Sequence, residues 1–250
     1  PSIAFAVNIK LEISELVNGE IRKNCKVCSN IKEFIKYFPN FVNIELNKKI
    51  KLNIFKEIGE LNIPLRINNY LALISKNISK NFKDEEFEIV KLKLFDYVLN
   101  KLYDKIYPSS PGIDDSLISY TCLKLSWVEP RHLIKDTKNN NYDIFIDEIK
   151  RLFIQLEKEK SPRKKYLVMK DILLTIQKIC AFNGENGEGV DFNLSILSYI
   201  FIKVCPNKID SDLKYVNLFV DDKKENEVKT LFGTACEFIK TINSQKLLGI

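Results

Sequence analysis

Apolar residues recur at three- and four-residue steps along almost the whole chain, and strict alternation is nearly absent, so the pattern predicts an all-α protein. The first such segment carries Ile13, Val17 and Ile21, then Ile31, Phe34, Ile35 and Phe38, and stops at Pro39. A second runs over 50–63 to Pro64, and a third over 67–82. The acidic run Asp84, Glu85, Glu86 suits the positive end of a helix dipole. It opens a helix over 87–107, with Ile89, Leu92, Leu94, Phe95, Val98, Leu99, Leu102 and Ile106 as a broad apolar stripe. The cluster PSSPG at 108–112 is the strongest turn signal in the chain, and the domain boundary is placed there: a helical bundle over 1–110 and a second domain over 111–250.

The second domain continues the pattern. An amphipathic segment over 114–133 ends in LSWVEPRHL, where Trp127 reads as a core anchor beside the helix-stopping Pro130 and His132 as structural. A polar loop, 135–143, leads to a helix over 143–159 with Ile146, Ile149, Phe153 and Leu156 on one face. Ser161 followed by Pro162 is an N-cap with proline at the first helical position, and it launches RKKYLVMKDILLTIQKIC. NGENGEG at 183–189 is acidic, follows a helix and lacks the Lys-Ser/Thr of a phosphate-cradling loop, so it reads as a linker.

That linker delivers the chain to 190–219, around which the rest is organised. Leu194 to Cys205 is apolar except at Ser195, Ser198 and Lys203. Its twelve residues are too few for a membrane span, which needs roughly 20. The run predicts a helix buried on most sides, with Asp191 as its N-cap and Pro206 as its stop. Asp210 or Ser211 caps a second helix with Leu213, Val216 and Phe219 or Val220 inward. A last helix, ENEVKTLFGTACEFIKTINSQKLL, turns Val228, Leu231, Phe232, Ala235, Phe238 or Ile239, and Ile242 to the core.

Composition narrows the function classes. The hydrophobic fraction is 45% and the mean hydropathy is −0.14, as in an ordinary globular protein. No signal peptide is expected at PSIAFAVNIKLEI, and the start at Pro1 points to a piece of a longer protein. A net charge of +6 from scattered basic residues argues against a nucleic-acid partner, and it suits an anionic membrane equally well. Of six cysteines, Cys122, Cys180, Cys205 and Cys236 lie in apolar helical patterns and read as small core residues. Cys25 and Cys28 form one CxxC, without the second pair a zinc site needs. A small metal or nucleic-acid protein built on that pair and the positive charge is the weakest reading.

The stretch 190–219 resembles the core of the Vps-nine domain, the catalytic module of exchange factors for Rab-five-family GTPases. Asp191, Leu194, Tyr199, Lys203, Pro206, Tyr215 and Phe219 fall in the family's register without a gap. The resemblance extends to YVLNKLYDKIYP (97–108), similar to the helix that ends the bundle of Rabex-type factors. It also covers LKLSWVEPRHL (123–133), EKEKSPRKKYLVMKDILLTI (157–176) and CEFIKTI (236–242), so that order and spacing agree over about 95–245. It implies a helical bundle packed on a layered helical exchange domain, with Asp191 as the acidic finger against the GTPase's Mg²⁺ and phosphate site. It implies that Leu194, Ser195, Tyr199, Cys205, Glu227 and Thr230 meet the partner's switch regions. No cofactor or metal of its own is implied, since GDP, GTP and Mg²⁺ belong to the GTPase. The place of action would be the cytoplasmic face of early endosomes, with membrane attachment through segments outside this chain. Four departures leave a non-catalytic GTPase-binding scaffold as the alternative. The family's proline is Ser195, its asparagine is Cys205, its functional tyrosine falls on Glu227, and its glycine–glutamate pair is missing. Asp191 itself keeps two readings, cap or finger.

Overall fold

Every regular element among the described residues is a helix. The structure, a computed structural model, describes residues 65, 67–72, 76, 84–134, 141–182, 190–220, 226–242 and 247. The helical segments expected over 13–38 and 50–63, the CxxC pair and the 183–189 linker lie outside them. The chain divides into two compact units, Pro1–Tyr107 and Pro108–Ile250.

In the first unit, α1 spans Asp84–Ile106, so the acidic run forms its first turn rather than preceding it. Of the expected stripe Leu94, Val98, Leu99, Leu102 and Ile106 are buried while Leu92 and Phe95 are half-buried, and Tyr103 stacks on Tyr107 with centroids 4.5 Å apart.

The second unit holds α2 (Ile113–Lys124), α3 (Ile146–Lys158), α4 (Pro162–Phe182), α5 (Val190–Val204), α6 (Ile209–Phe219) and α7 (Asn226–Thr241), with 3₁₀ turns at Pro130–His132 and Asn141–Phe145. Helix α5 is the axis: residues 196–202 are buried in succession, and α2, α3, α4 and α7 pack round it. Such a helix shows no single apolar face because each of its sides meets another element. Phe201 locks the layers, edge-to-face on Phe153 of α3 (5.8 Å) and on Phe232 of α7 (5.7 Å). Helix α6 lies outside that axis, on α2, α4 and α7.

Ser161 caps α4 as expected: its Oγ accepts from the Lys164 amide at 3.2 Å, and Pro162 follows at the first helical position. Lys165, one turn on, is fully buried. Its ammonium pairs with buried Asp212 of α6 at 2.7 Å and donates to the Leu156 carbonyl at 2.6 Å. One cation thus joins the end of α3, the start of α4 and the first turn of α6. Breaking such a buried pair from one side costs about 3–5 kcal/mol, because the remaining charge stays desolvated.

Three expectations need correction. Trp127 is not a core anchor. It is 42% exposed, with its ring edge-on to His132 at 5.3 Å, because Val128 and Pro130 take the buried positions of that turn. The helix expected from 143 begins at Ile146, since the preceding residues close a 3₁₀ turn. Neither Asp210 nor Ser211 caps α6: both lie inside its first turn. The cap comes from Asp115 in α2, whose Oδ1 accepts from the Asp210 and Ser211 amides at 2.9 and 3.1 Å. Its Oδ2 accepts from the Gly112 amide at 2.9 Å and from the Ser211 hydroxyl, so one carboxylate fills about four acceptor sites and closes two helix starts.

His132 is structural, as expected: its Nδ1 accepts from the Glu129 amide at 2.9 Å and closes the 3₁₀ turn.

Candidate functional site

The N-terminal end of α5 carries the candidate acid. Asp191 is the second residue of the helix rather than its cap, since the helical backbone already includes Val190. A carboxylate in a first turn still gains about 0.3–1 kcal/mol from the helix dipole. Phe192, Asn193, Leu194 and Ser195 follow, all half-buried, before the fully buried stretch begins. The Oδ1 of Asn193 and the Oγ of Ser198 are buried and find no hydrogen-bond partner among the described residues.

Three attachments hold α5 in place. Tyr199, 1% exposed, donates its hydroxyl to Asp143 at 2.7 Å, and burial first, then that carboxylate, pushes its phenol well above the usual range. Lys203 donates to the Ser126 carbonyl at 3.0 Å, with its ammonium 5.6 Å from the centre of the Tyr199 ring. Cys205 ends the helix at a φ of 52°, the left-handed region that residues with a Cβ rarely occupy, and its Sγ lies 3.6 Å from the Ser119 carbonyl of α2. The Cys122 thiol, hydrogen-bonded to that of Cys205, is pushed up to about 12, chiefly by burial.

The sequence-derived site residues therefore fall into two sets. Leu194 and Ser195 stand half-buried in the first turns of α5, while Glu227 and Thr230 are exposed one turn apart on α7, which packs against α5. Tyr199 and Cys205 turn inward and hold the helix. The positive φ gives a physical reason for the asparagine that the family pattern has at the Cys205 position, since asparagine tolerates that conformation best after glycine.

Sequence reading missed the charge cluster beside the Asp115 cap. Lys214 of α6 donates to Asp114 and Asp210, both at 2.6 Å, and Lys240 of α7 lies 3.8 Å from Asp210. Its hydrogen bond from Lys214 holds the Asp114 carboxyl below the usual range, whereas burial raises that of Asp210. The i,i+4 spacing of Asp210 and Lys214 was the one local signal for it. Among the described residues no group of His, Cys, Asp or Glu is placed to hold a metal ion, and no helix is long and apolar enough to cross a membrane.

An all-α domain built round a buried central helix, with an acid in that helix's first turn, is the class these features define. Residues 146–244 match the family model of the vacuolar sorting protein 9 (VPS9) domain, so the second unit carries a VPS9 domain, the exchange-factor class that 190–219 resembles. The match begins at α3, so the LKLSWVEPRHL stretch and α2 lie ahead of it. No curated protein matches the chain.

Proposed function

We propose that this protein is a guanine nucleotide exchange factor for a Rab-five-like endosomal GTPase, working at the cytoplasmic face of early endosomes, with Asp191 as its acidic finger. The observation that carries the reading is the VPS9 match over 146–244 with Asp191 in the first turn of its central helix. An exchange factor must bind the nucleotide-free GTPase better than the GDP form, or it shifts nothing. A GTPase holds GDP through Mg²⁺ and a phosphate-loop lysine. A carboxylate brought to that site repels the phosphates and competes for Mg²⁺. Once phosphate leaves, it pairs with the freed lysine in a charge-assisted hydrogen bond worth about 1.5–3 kcal/mol. Leu194, Ser195, Glu227 and Thr230 supply the surface that meets the switch regions. Nucleotide and Mg²⁺ are the partner's, and the factor needs no cofactor of its own.

Release of fluorescent mant-GDP from a panel of endosomal Rab GTPases tests the proposal. Acceleration of at least one at substoichiometric protein is expected, and none at micromolar folded protein overturns it. Asp191→Asn should slow release by on the order of 10²-fold. Its melting temperature should fall little, since only the dipole interaction is lost. Normal release by that variant would show that a residue other than Asp191 carries the activity. A second reading, a GTPase-binding scaffold without exchange activity, is favoured by Glu227 at the family's tyrosine position. It expects Rab binding with unchanged GDP release.

A further inference from the structure

The solvent face of α4 is not an ordinary polar helix face. Its centre is occupied by Leu167 and Leu174, each 44% exposed and two turns apart. Arg163 stands one turn before the first, Lys170 lies between the two, and Lys178 follows one turn after the second, all exposed. The spacing 163, 167, 170, 174, 178 keeps the five on one side of the helix. Arg163, Lys170 and Lys178 make no ion pair among the described residues, and on α4 the only exposed acid is Asp171. The opposite side is fixed in the core by Met169, Ile172, Ile176 and Ile179, and the helix start is capped by Ser161. The face is therefore rigidly presented, and binding on it orders no new backbone.

We propose that this face of α4 docks on the surface of an anionic lipid bilayer. Exposed leucines between unpaired basic side chains fit an interface in which aliphatic groups enter the boundary below the headgroups while ammonium and guanidinium groups meet lipid phosphates and carboxylates. A nucleic-acid backbone would use the charges and leave the leucines in water. With no spanning helix among the described residues, such contact is peripheral. Each basic residue at an anionic surface strengthens partition about five-fold, so three together account for on the order of 10²-fold.

The test is sedimentation of the full chain with phosphatidylcholine vesicles, with and without phosphatidylserine. Binding should require phosphatidylserine and weaken with salt, since surface charges are screened. The triple variant R163A/K170A/K178A should lose on the order of 10²-fold in partition, and L167S/L174S should lose binding with its charges intact. The control K124A/R131A removes exposed charge elsewhere and should bind within a few-fold of the parent. Binding that ignores phosphatidylserine overturns the proposal. So does a control pair that loses as much per charge as the α4 variant, which would mean net charge alone drives it. Absence of binding overturns it too and leaves the face to an acidic protein partner. GDP release in solution, without vesicles, reads the exchange proposal separately, and the α4 variants should leave it unchanged.

Discussion

Cys205 shows how much a single backbone angle can explain. It sits just past the last turn of α5 at positive φ, where a residue with a Cβ loses roughly 1–2 kcal/mol and asparagine much less. Cys205→Asn is therefore expected to raise stability by about 0.5–1 kcal/mol, read by chemical denaturation. A fall instead would mean that the thiol's contacts with Ser119 and Cys122 outweigh the angle. Residue-scale legibility followed distance along the chain. The Ser161–Pro162 cap was readable because cap and partner lie within three residues; His132 was read only as structural, and the turn it closes came from the structure. Asp191 was expected as the cap of α5 and lies one step further in, as the helix's second residue. Asp115 was not, because the two amides it accepts from in α6 lie 95 and 96 residues on, and no local pattern encodes that. Trp127 misled because a lone tryptophan near a proline usually anchors a core, whereas here smaller Val128 and Pro130 do.

Among the elements, α5 was the most legible and α6 the least. Seven consecutive buried positions leave a helix no polar side, so composition alone identifies it. The start of α6 was misread because Asp210 and Ser211 have the chemistry of caps while serving other partners, Lys214 and Asp115. Helix α7 is where the exchange reading can be sharpened. Glu227 lies exposed in its first turn, one turn before Thr230, and the resemblance read from the sequence sets it at the family's tyrosine position. Glu227→Tyr removes an acid from a helix start, at a cost of about 0.3–1 kcal/mol, and adds an aromatic anchor to the face proposed to meet the GTPase. It is expected to speed GDP release several-fold by improving GTPase affinity, as aromatic residues dominate interface energies. An unchanged KM for the GTPase would place that face elsewhere.

At the scale of the whole molecule, the titrating groups among the described residues make alkali the weak side. Burial raises the thiols of Cys122 and Cys236 above their ordinary 9.0. In the unfolded chain they ionise near that value while the folded protein keeps its protons, so stability falls as pH climbs past it. Lys214 and Lys240 act in the same direction. Burial pulls each down, but hydrogen bonds to Asp114, Asp210 and Glu237 and the surrounding carboxylates outweigh it and hold both above 10.5. Their contribution is full below that pH and is lost as pH rises through the raised values. On the acid side Asp114 and Asp210 oppose one another. The depressed Asp114 loses stabilising charge as pH falls below 3.8, while the raised Asp210 regains stability on protonation. Melting temperature against pH should thus drop steeply above about 9, and C122A/C236A should flatten the first part of that descent.

The carboxylate of Asp115 carries one more implication, for where this domain begins. The family match opens at Ile146, yet the first turn of α6, well inside the match, is closed by an acid that lies ahead of it. A fragment cut at the edge of the match would leave two buried amides and the Ser211 hydroxyl without their acceptor, and α5 and α7 without the helix that flanks them. Residues 108–250 are expected to melt cooperatively in calorimetry, whereas 146–250 should show no such transition. On that basis the smallest piece able to stand alone is longer than the stretch by which it is recognised.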